Sequence, residues 1–378
     1  MAAPLSTVDP DGLLEFSVVF TDRSLNHMSR KFQGVMRDIS TTLREVYAAD
    51  AVAVVPGGGT YAMEAVARQF ATDRSCLVIR NGWFSYRWSQ IFEADGIAGS
   101  ASVLKAARAG NEADAPFAPH PVDEVVRRIR EEQPEVVFAP HVETSAGMIL
   151  PDDYLRTVAD AVRETGGLFV LDCIASGAIW VDMERTGVDV LVSAPQKGWS
   201  APPSSGLVMM GGRAVARLGE TRSTSFACDL AKWRSIMEAY ENGGHAYHAT
   251  MPTDALARFR DAMEETRALG FAEARARQEA LGARVRGMLA ERGFRSVAAP
   301  GYEAPGVVVV YTDDPDLKSG AKFAAEGMQI AAGVPLQCDE PAEFSTFRIG
   351  LFGLDKLRDV DATVARFGEV LDRVLARN

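Results

Sequence analysis

Short apolar runs alternating with amphipathic stretches constrain this chain more than any other feature. AVAVV (51–55), CLVIR (76–80), VVFAPH (136–141), GLFVLD (167–172) and VDVLVSA (188–194) each read as a short buried strand. Helix-patterned stretches surround them: residues 26–47 before the first, YAMEAVARQFA after PGGGT, and PDDYLRTVADAVRETG before GLFVLD. Strand and helix in alternation predict the α/β class, with an open and largely parallel sheet. Ligands of such sheets bind beyond the carboxyl ends of the strands. After MPTDAL (251–256) the texture changes to a long charged helical region (253–293), two shorter strands (GVVVVYT, TFRIGLF) and a last helix, VDATVARFGEVLDRVLAR. The expected division is an N-terminal arm (1–25), a large domain (26–255) and a smaller C-terminal α+β domain (256–378), with no internal repeat.

Bulk properties narrow the function. A chain of 378 residues can bury two cores. A net charge of −11 without a Lys/Arg-rich run argues against nucleic acid or an anionic membrane surface as partner. Cys76, Cys173, Cys228 and Cys338 lie far apart with no CxxC spacing, which fits reduced thiols rather than disulfides or zinc. The start, MAAPLSTVDPDG, has neither a basic nor an apolar leader region, and the tail VLARN carries no readable address. No apolar run reaches the ~18 residues of a membrane span. A cytoplasmic protein without a bound metal is expected.

Three features carry chemistry. In PGGGTYAMEA (56–65), glycines between a strand and a helix let backbone approach an anion, and the helix N-terminus favours a phosphate. The spacing matches neither GxxxxGK[ST] nor GxGxxG, and a plain Gly-rich helix cap reads equally well from these residues alone. Asp172 closes the apolar strand GLFVLD, where a carboxylate is costly unless a cation meets it. A helix-capping Asp is the ordinary alternative. Only seven of the 40 basic residues are Lys, and Lys197 alone follows a buried strand directly, in VDVLVSAPQKGW. A lysine in such a place loses proton affinity and attacks carbonyls; a loop lysine reaching for water is the bland reading. The order decides between them. A phosphate loop, a strand-end Asp and a Lys 25 residues later is the order expected of fold-type I pyridoxal-phosphate enzymes.

With HVETSAGMILP (141–151), LFVLDCIAS (168–176), VDMERTGVDVLVSAPQKGWSAPPSSGL (181–207), YHATMP (247–252) and FRIGLFG (347–353), the chain resembles the class V aminotransferases. The likeness is strongest to the alanine–glyoxylate and serine–pyruvate branch, and runs from about residue 26 to the C-terminus. It implies a mostly parallel, seven-stranded-type sheet between helices, pyridoxal 5'-phosphate as cofactor, and ping-pong transfer of an amino group from a small amino acid or amine to glyoxylate or pyruvate. Residue by residue, it implies that Lys197 bears the Schiff base and moves the proton, while Asp172 pairs with the pyridinium nitrogen. Gly58, Gly59 and Thr60 would hold the phosphate with Gln196. Phe84 would stack on the ring, Ile174 would pack its other face, and Thr144 would reach the ring hydroxyl. Tyr247 and Thr250 would reach the phosphate of a neighbouring subunit, implying a homodimer with shared sites. Arg348 would clamp the substrate carboxylate through a bidentate pair.

The chain also departs from that branch. LEFSVVFTDRSLNHMS stands where many relatives carry a PGP-type turn, and Phe84 stands where they carry Trp or Tyr. A phosphonate or phosphate donor would need further basic residues, for which Arg23, Arg30, Arg80 and Arg87 are available. The rivals are a cysteine desulfurase-like lyase using Cys338, a catalytically silent binding protein, and a nicotinamide oxidoreductase. PLQCDEPAEF does not resemble a desulfurase loop, and Asp339 next to Cys338 disfavours a thiolate. A silent protein would not need Lys, Asp, phosphate loop and Arg together, and an oxidoreductase would need the absent GxGxxG.

Overall fold

The structure is a computed structural model and describes Asp9 and residues 12–376. Most of MAAPLSTVDPDG and the last two residues of VLARN lie outside the described residues. Seven strands form one sheet: β1 (Ala51–Pro56), β2 (Ser75–Arg80), β3 (Ser100–Lys105), β4 (Val136–Pro140), β5 (Leu168–Asp172), β6 (Val190–Ser193) and β7 (Ser205–Met210). Their order is β1-β7-β6-β5-β4-β2-β3, with β7 antiparallel to both its neighbours and the other pairings parallel. β4, β5 and β6 are buried throughout, so their sequences read as continuous apolar runs rather than alternating ones. The mostly parallel α/β sheet expected of the sequence is therefore present.

Two of its strands escape the sequence pattern. β3 is an edge strand whose first two residues are exposed, so its apolar signal is diluted. β7, SGLVMM, is wholly buried, but its Leu and Met favour helices as readily as strands. Helix boundaries differ as well. α1 spans Arg30–Tyr47 rather than beginning at residue 26, because the Ser29 side chain accepts from the Phe32 amide at 3.1 Å and caps it there. Phe32, Val35, Met36, Ile39 and Leu43 form its buried stripe. The charged region 253–293 is two helices, Thr253–Leu269 and Phe271–Glu291, broken at Gly270, whose φ of 94° suits glycine.

Thr253–Leu269 lies against α1, tied by Arg260–Asp38 (2.9 Å) and Arg267–Glu45 (2.7 Å) ion pairs. Further along, Val307–Tyr311, Ala331–Ala332 and Thr346–Gly350 form a three-stranded antiparallel sheet with Thr346–Gly350 central. The closing helix Val360–Ala376 packs on Phe271–Glu291. No helix among the described residues is long and apolar enough to cross a membrane. In the large sheet, Asp172 stands opposite Pro140 and Val192, which brings the segments after β4, β5 and β6 to one edge.

Candidate active site

β1 runs into the glycines, and each has a separate reason. Gly57 has φ 120°, outside the range other residues favour. Gly58 caps α2 (Gly59–Phe70) with extended backbone, and a side chain there would face open space. At Gly59 a Cβ would lie 2.5 Å from Ile174 Cδ1, so Ile174 packs there only because Gly59 has no side chain. The amides of Gly59 and Thr60 find no acceptor among the described residues, and the α2 dipole leaves them suited to an anion. Thr60 is exposed, and its hydroxyl accepts from Arg87 at 3.1 Å.

Asp172 does not cap a helix; one of its oxygens accepts from the Ile174 amide at 2.9 Å in the turn after β5. Burial pushes its pKa up to about 6, and Glu143 adds to this, while that amide, Arg87 and Lys197 pull the other way. Lys197 sits in the loop between β6 and β7. A Cβ on Gly198 would lie 2.1 Å from the Gly177 carbonyl, so glycine is what lets this loop press against the turn after β5. Burial lowers the proton affinity of Lys197; Asp172 opposes that, and Arg348 and Arg87 reinforce it. The Lys197 ammonium lies 5.4 Å from the centre of the Phe352 ring.

α3 (Trp83–Ala94) begins just beyond β2 and carries Phe84 and Arg87. Arg348 reaches across from the C-terminal sheet. Its Nε donates to the Ala332 carbonyl at 2.8 Å and its NH1 to the Thr144 carbonyl at 3.5 Å. The guanidinium groups of Arg87 and Arg348 lie 5.5 and 5.6 Å from the centre of the Phe84 ring. Neither makes an ion pair among the described residues. The structure thus brings together Gly59, Ile174, Thr60, Arg87, Phe84, Arg348, Thr144, Asp172 and Lys197.

Other expected residues stand apart. Gln196, beside Lys197, points to solvent. Tyr247 and Thr250 are exposed and bonded to each other at 3.2 Å, with no contact among the described residues to Lys197 or Asp172. Of the four arginines set aside for a phosphonate, only Arg87 reaches Lys197 and Asp172 electrostatically. Arg23 and Arg30 are exposed, and Arg80 is buried, donating to Ser89 at 2.8 Å and lying over the Tyr86 ring. Sequence reasoning missed Glu143 and Phe352. Nothing in their spacing marked them, although HVETS and FRIGLFG lay inside the quoted motifs.

Cys338 is buried, and its thiol lies 3.4 Å from the Arg80 carbonyl. Burial first, then Glu143 and Glu340, push its pKa up to about 12. The expected source was Asp339, which instead pairs with Lys105 at 2.6 Å. A thiol held this way is a poor nucleophile, which weighs against the lyase reading.

The residues present fit pyridoxal phosphate. Free helix amides suit its phosphate, a buried carboxylate short of a cation suits its pyridinium nitrogen, and a lysine of lowered basicity suits its aldehyde. Among the described residues no cluster of His, Cys, Asp and Glu could hold a metal ion. Comparison with known proteins points the same way. The family model for class-V aminotransferases matches residues 17–362. The 2-aminoethylphosphonate–pyruvate transaminase 2 of Paraburkholderia xenovorans is 28% identical over 93% of this chain and 90% of its own length. Alanine–glyoxylate aminotransferase 1 of Saccharomyces cerevisiae is 25% identical over 62% of each chain. The crystal structure of an alanine–glyoxylate aminotransferase from Nostoc sp. superposes with a TM-score of 0.78 at 22% identity, covering 92% of this chain and 88% of that one. By its sequence over nearly the whole length and by its fold, the chain belongs to the class V aminotransferases, and it is a pyridoxal 5'-phosphate-dependent transaminase of fold type I.

Proposed function

We propose that this enzyme moves an amino group from a small amino acid or amine to pyruvate or glyoxylate, with Lys197 as the catalytic lysine. The observation that carries the reading is the placing of a half-buried lysine within electrostatic reach of the buried Asp172, with two guanidinium groups that form no ion pair among the described residues flanking Phe84. When bound, pyridoxal phosphate supplies an aldehyde for the amine and an electron-poor ring that stabilises charge on the adjacent carbon. The α2 amides of Gly59 and Thr60, with Gly58, would hold the phosphate. Asp172 would accept a hydrogen bond from the ring nitrogen and keep it protonated. Phe84 and Ile174 would enclose the ring, and Thr144 would serve its hydroxyl. Arg348 would orient the substrate carboxylate so that Lys197 Nζ can take the proton from the carbon bearing the amino group and return it two atoms along, on the far side of the nitrogen. The first keto product leaves, with the amino group retained by the holoenzyme, before the acceptor enters the same site, which makes the cycle ping-pong, and Lys197 would serve both halves.

The exposed Tyr247 (53% exposed) and Thr250 reach the phosphate of a second copy in a homodimer with shared sites; the exposed Phe226 and Tyr61 support such a surface. Four free cysteines, all buried, accord with a reducing cytoplasmic setting.

A second reading, an aminophosphonate donor, is favoured by Arg87, a cation beyond the one a carboxylate needs, and by the Paraburkholderia relative's substrate. A donor panel separates the two. Alanine, serine and 2-aminoethylphosphonate are each mixed with the loaded enzyme without acceptor, and loss of the cofactor's visible band is followed. Conversion by alanine or serine supports the first reading. Conversion by the phosphonate alone, lost in Arg87→Ala, replaces it with the second; conversion by no donor contradicts both. Arg348→Ala is expected to raise KM for pyruvate or glyoxylate by roughly 10–100-fold, the worth of a hydrogen-bonded charge pair of about 1.5–3 kcal/mol. An unchanged KM would remove Arg348 from substrate binding.

A further inference from the structure

Helix α3 presents Phe84 to the site, yet its own sequence caps it only in part: Ser85 Oγ accepts from the Asn81 and Gly82 amides at 2.9 and 3.1 Å, which leaves the Trp83, Phe84 and Ser85 amides without a partner from the helix. The first amides of a helix have no partner within it, and the N-cap here is Gly82. The partners come from Glu143 and Ser145, 58 to 62 residues away. Ser145 Oγ accepts from the Trp83 amide at 3.0 Å. Glu143 accepts from the amides of Phe84 (3.2 Å) and Ser85 (2.8 Å). It also accepts from the Ser85 hydroxyl (2.8 Å), the Ser145 amide (3.1 Å) and the Ser145 hydroxyl (2.7 Å). A Cβ on Gly82 would lie 2.1 Å from Ser145 Oγ and 2.7 Å from Glu143 Cγ, so a capping side chain there is excluded by the arrangement that replaces it.

Glu143 is fully buried, and its carboxylate accepts hydrogen bonds on both oxygens. The positive end of the α3 dipole favours that charge. Between Glu143 and Ser145, the Thr144 carbonyl receives Arg348. One tripeptide therefore grips the helix that carries Phe84 and the arginine that flanks it. Glu143 also favours the protonated forms of Lys197 and Arg348.

We propose that Glu143 is a positioning residue for the reaction: its carboxylate fixes the Phe84 ring over the cofactor and, with Asp172, balances Lys197, Arg87 and Arg348. This rests on the reading above, in which Phe84 and Lys197 face pyridoxal phosphate. Glu143→Gln in the full chain tests it. The amide keeps one acceptor oxygen, turns an N–H₂ towards donors, and removes the charge. Three readouts apply: pyridoxal phosphate affinity by titration, circular dichroism of the bound cofactor's visible band, and the pH midpoint of that band. Affinity should fall by about tenfold or more, and the dichroism should weaken. The midpoint should move down by roughly one pH unit, because a lost negative charge disfavours the protonated nitrogen on Lys197. A cap with only a structural role would lower the melting temperature and leave the midpoint in place, which would overturn the proposal. If Glu143→Gln does not fold, Ser145→Ala decides. It frees the Trp83 amide but keeps the charge, so dichroism and affinity should fall with the midpoint unmoved; unchanged dichroism and affinity would overturn the proposal. A parent protein that binds no pyridoxal phosphate would defeat the underlying reading instead.

Discussion

Lys197→Ala should lower kcat by about 10⁴-fold or more while the protein stays folded, because in the proposed mechanism one side chain would both bond the cofactor and move the proton. Lys197 is half-buried in a loop between two strands, and truncating it leaves no buried partner uncompensated except Asp172, which Arg87 still faces. Stability should therefore change little. Lys197→Arg is the sharper control. It keeps the positive charge opposite Asp172 but cannot form the covalent bond, so it should be as inactive as the alanine variant. Single-turnover rates with a reactive donor, together with loss of the covalent cofactor band, check both variants. A rate within tenfold of the parent would move the proton transfer to another group.

Asp172→Asn carries the second large effect. The variant keeps the shape but cannot hold a proton on the ring nitrogen, and losing one preorganised charge of this kind costs about 10²–10³-fold in kcat. The same residue predicts a pH dependence. Burial raises the Asp172 pKa to about 6 from the ordinary 3.8, so the folded protein binds this proton more tightly than the unfolded chain does. That contribution to stability is complete below pH 3.8 and is lost as pH rises through about 6. In the cofactor-free protein, Asp172→Asn should flatten this loss, measured as melting temperature between pH 4 and pH 7, a span that brackets the shift. Pyridoxal phosphate should stabilise the parent more above pH 6 than below it, since only the ionised carboxylate gains a partner from the pyridinium. Identical slopes in parent and variant would mean that Asp172 is not the group that titrates.

Much of the candidate site was legible because its residues lie at strand ends, and strand ends were legible where strands are buried on both faces. GLFVLD announced Asp172, and VDVLVSAPQKG announced Lys197, by ending apolar runs in charge. The glycine loop was readable as a turn, but its packing against Ile174 is a contact between β1 and β5 loops that no local pattern encodes. β3 and β7 were hidden for opposite reasons, an exposed edge and a helix-prone apolar run. The 253–293 region read as a long helical stretch without an internal break, because an isolated glycine inside charged helical sequence is tolerated at modest cost and does not by itself mark the end at Gly270. Glu143 was invisible because its role depends on α3 arriving from 58 residues upstream. The Cys338 thiol shows the same limit: its direction of shift was readable, but the groups responsible were brought in by folding.

The central claim is that Lys197 carries the cofactor, and one measurement addresses it without relying on turnover. The enzyme loaded with pyridoxal phosphate is reduced with borohydride, digested and mapped by mass spectrometry. The account predicts the cofactor fixed to the peptide containing Lys197 and to no other lysine. Label on another of the seven lysines, or loaded enzyme that retains no label after reduction, would contradict it.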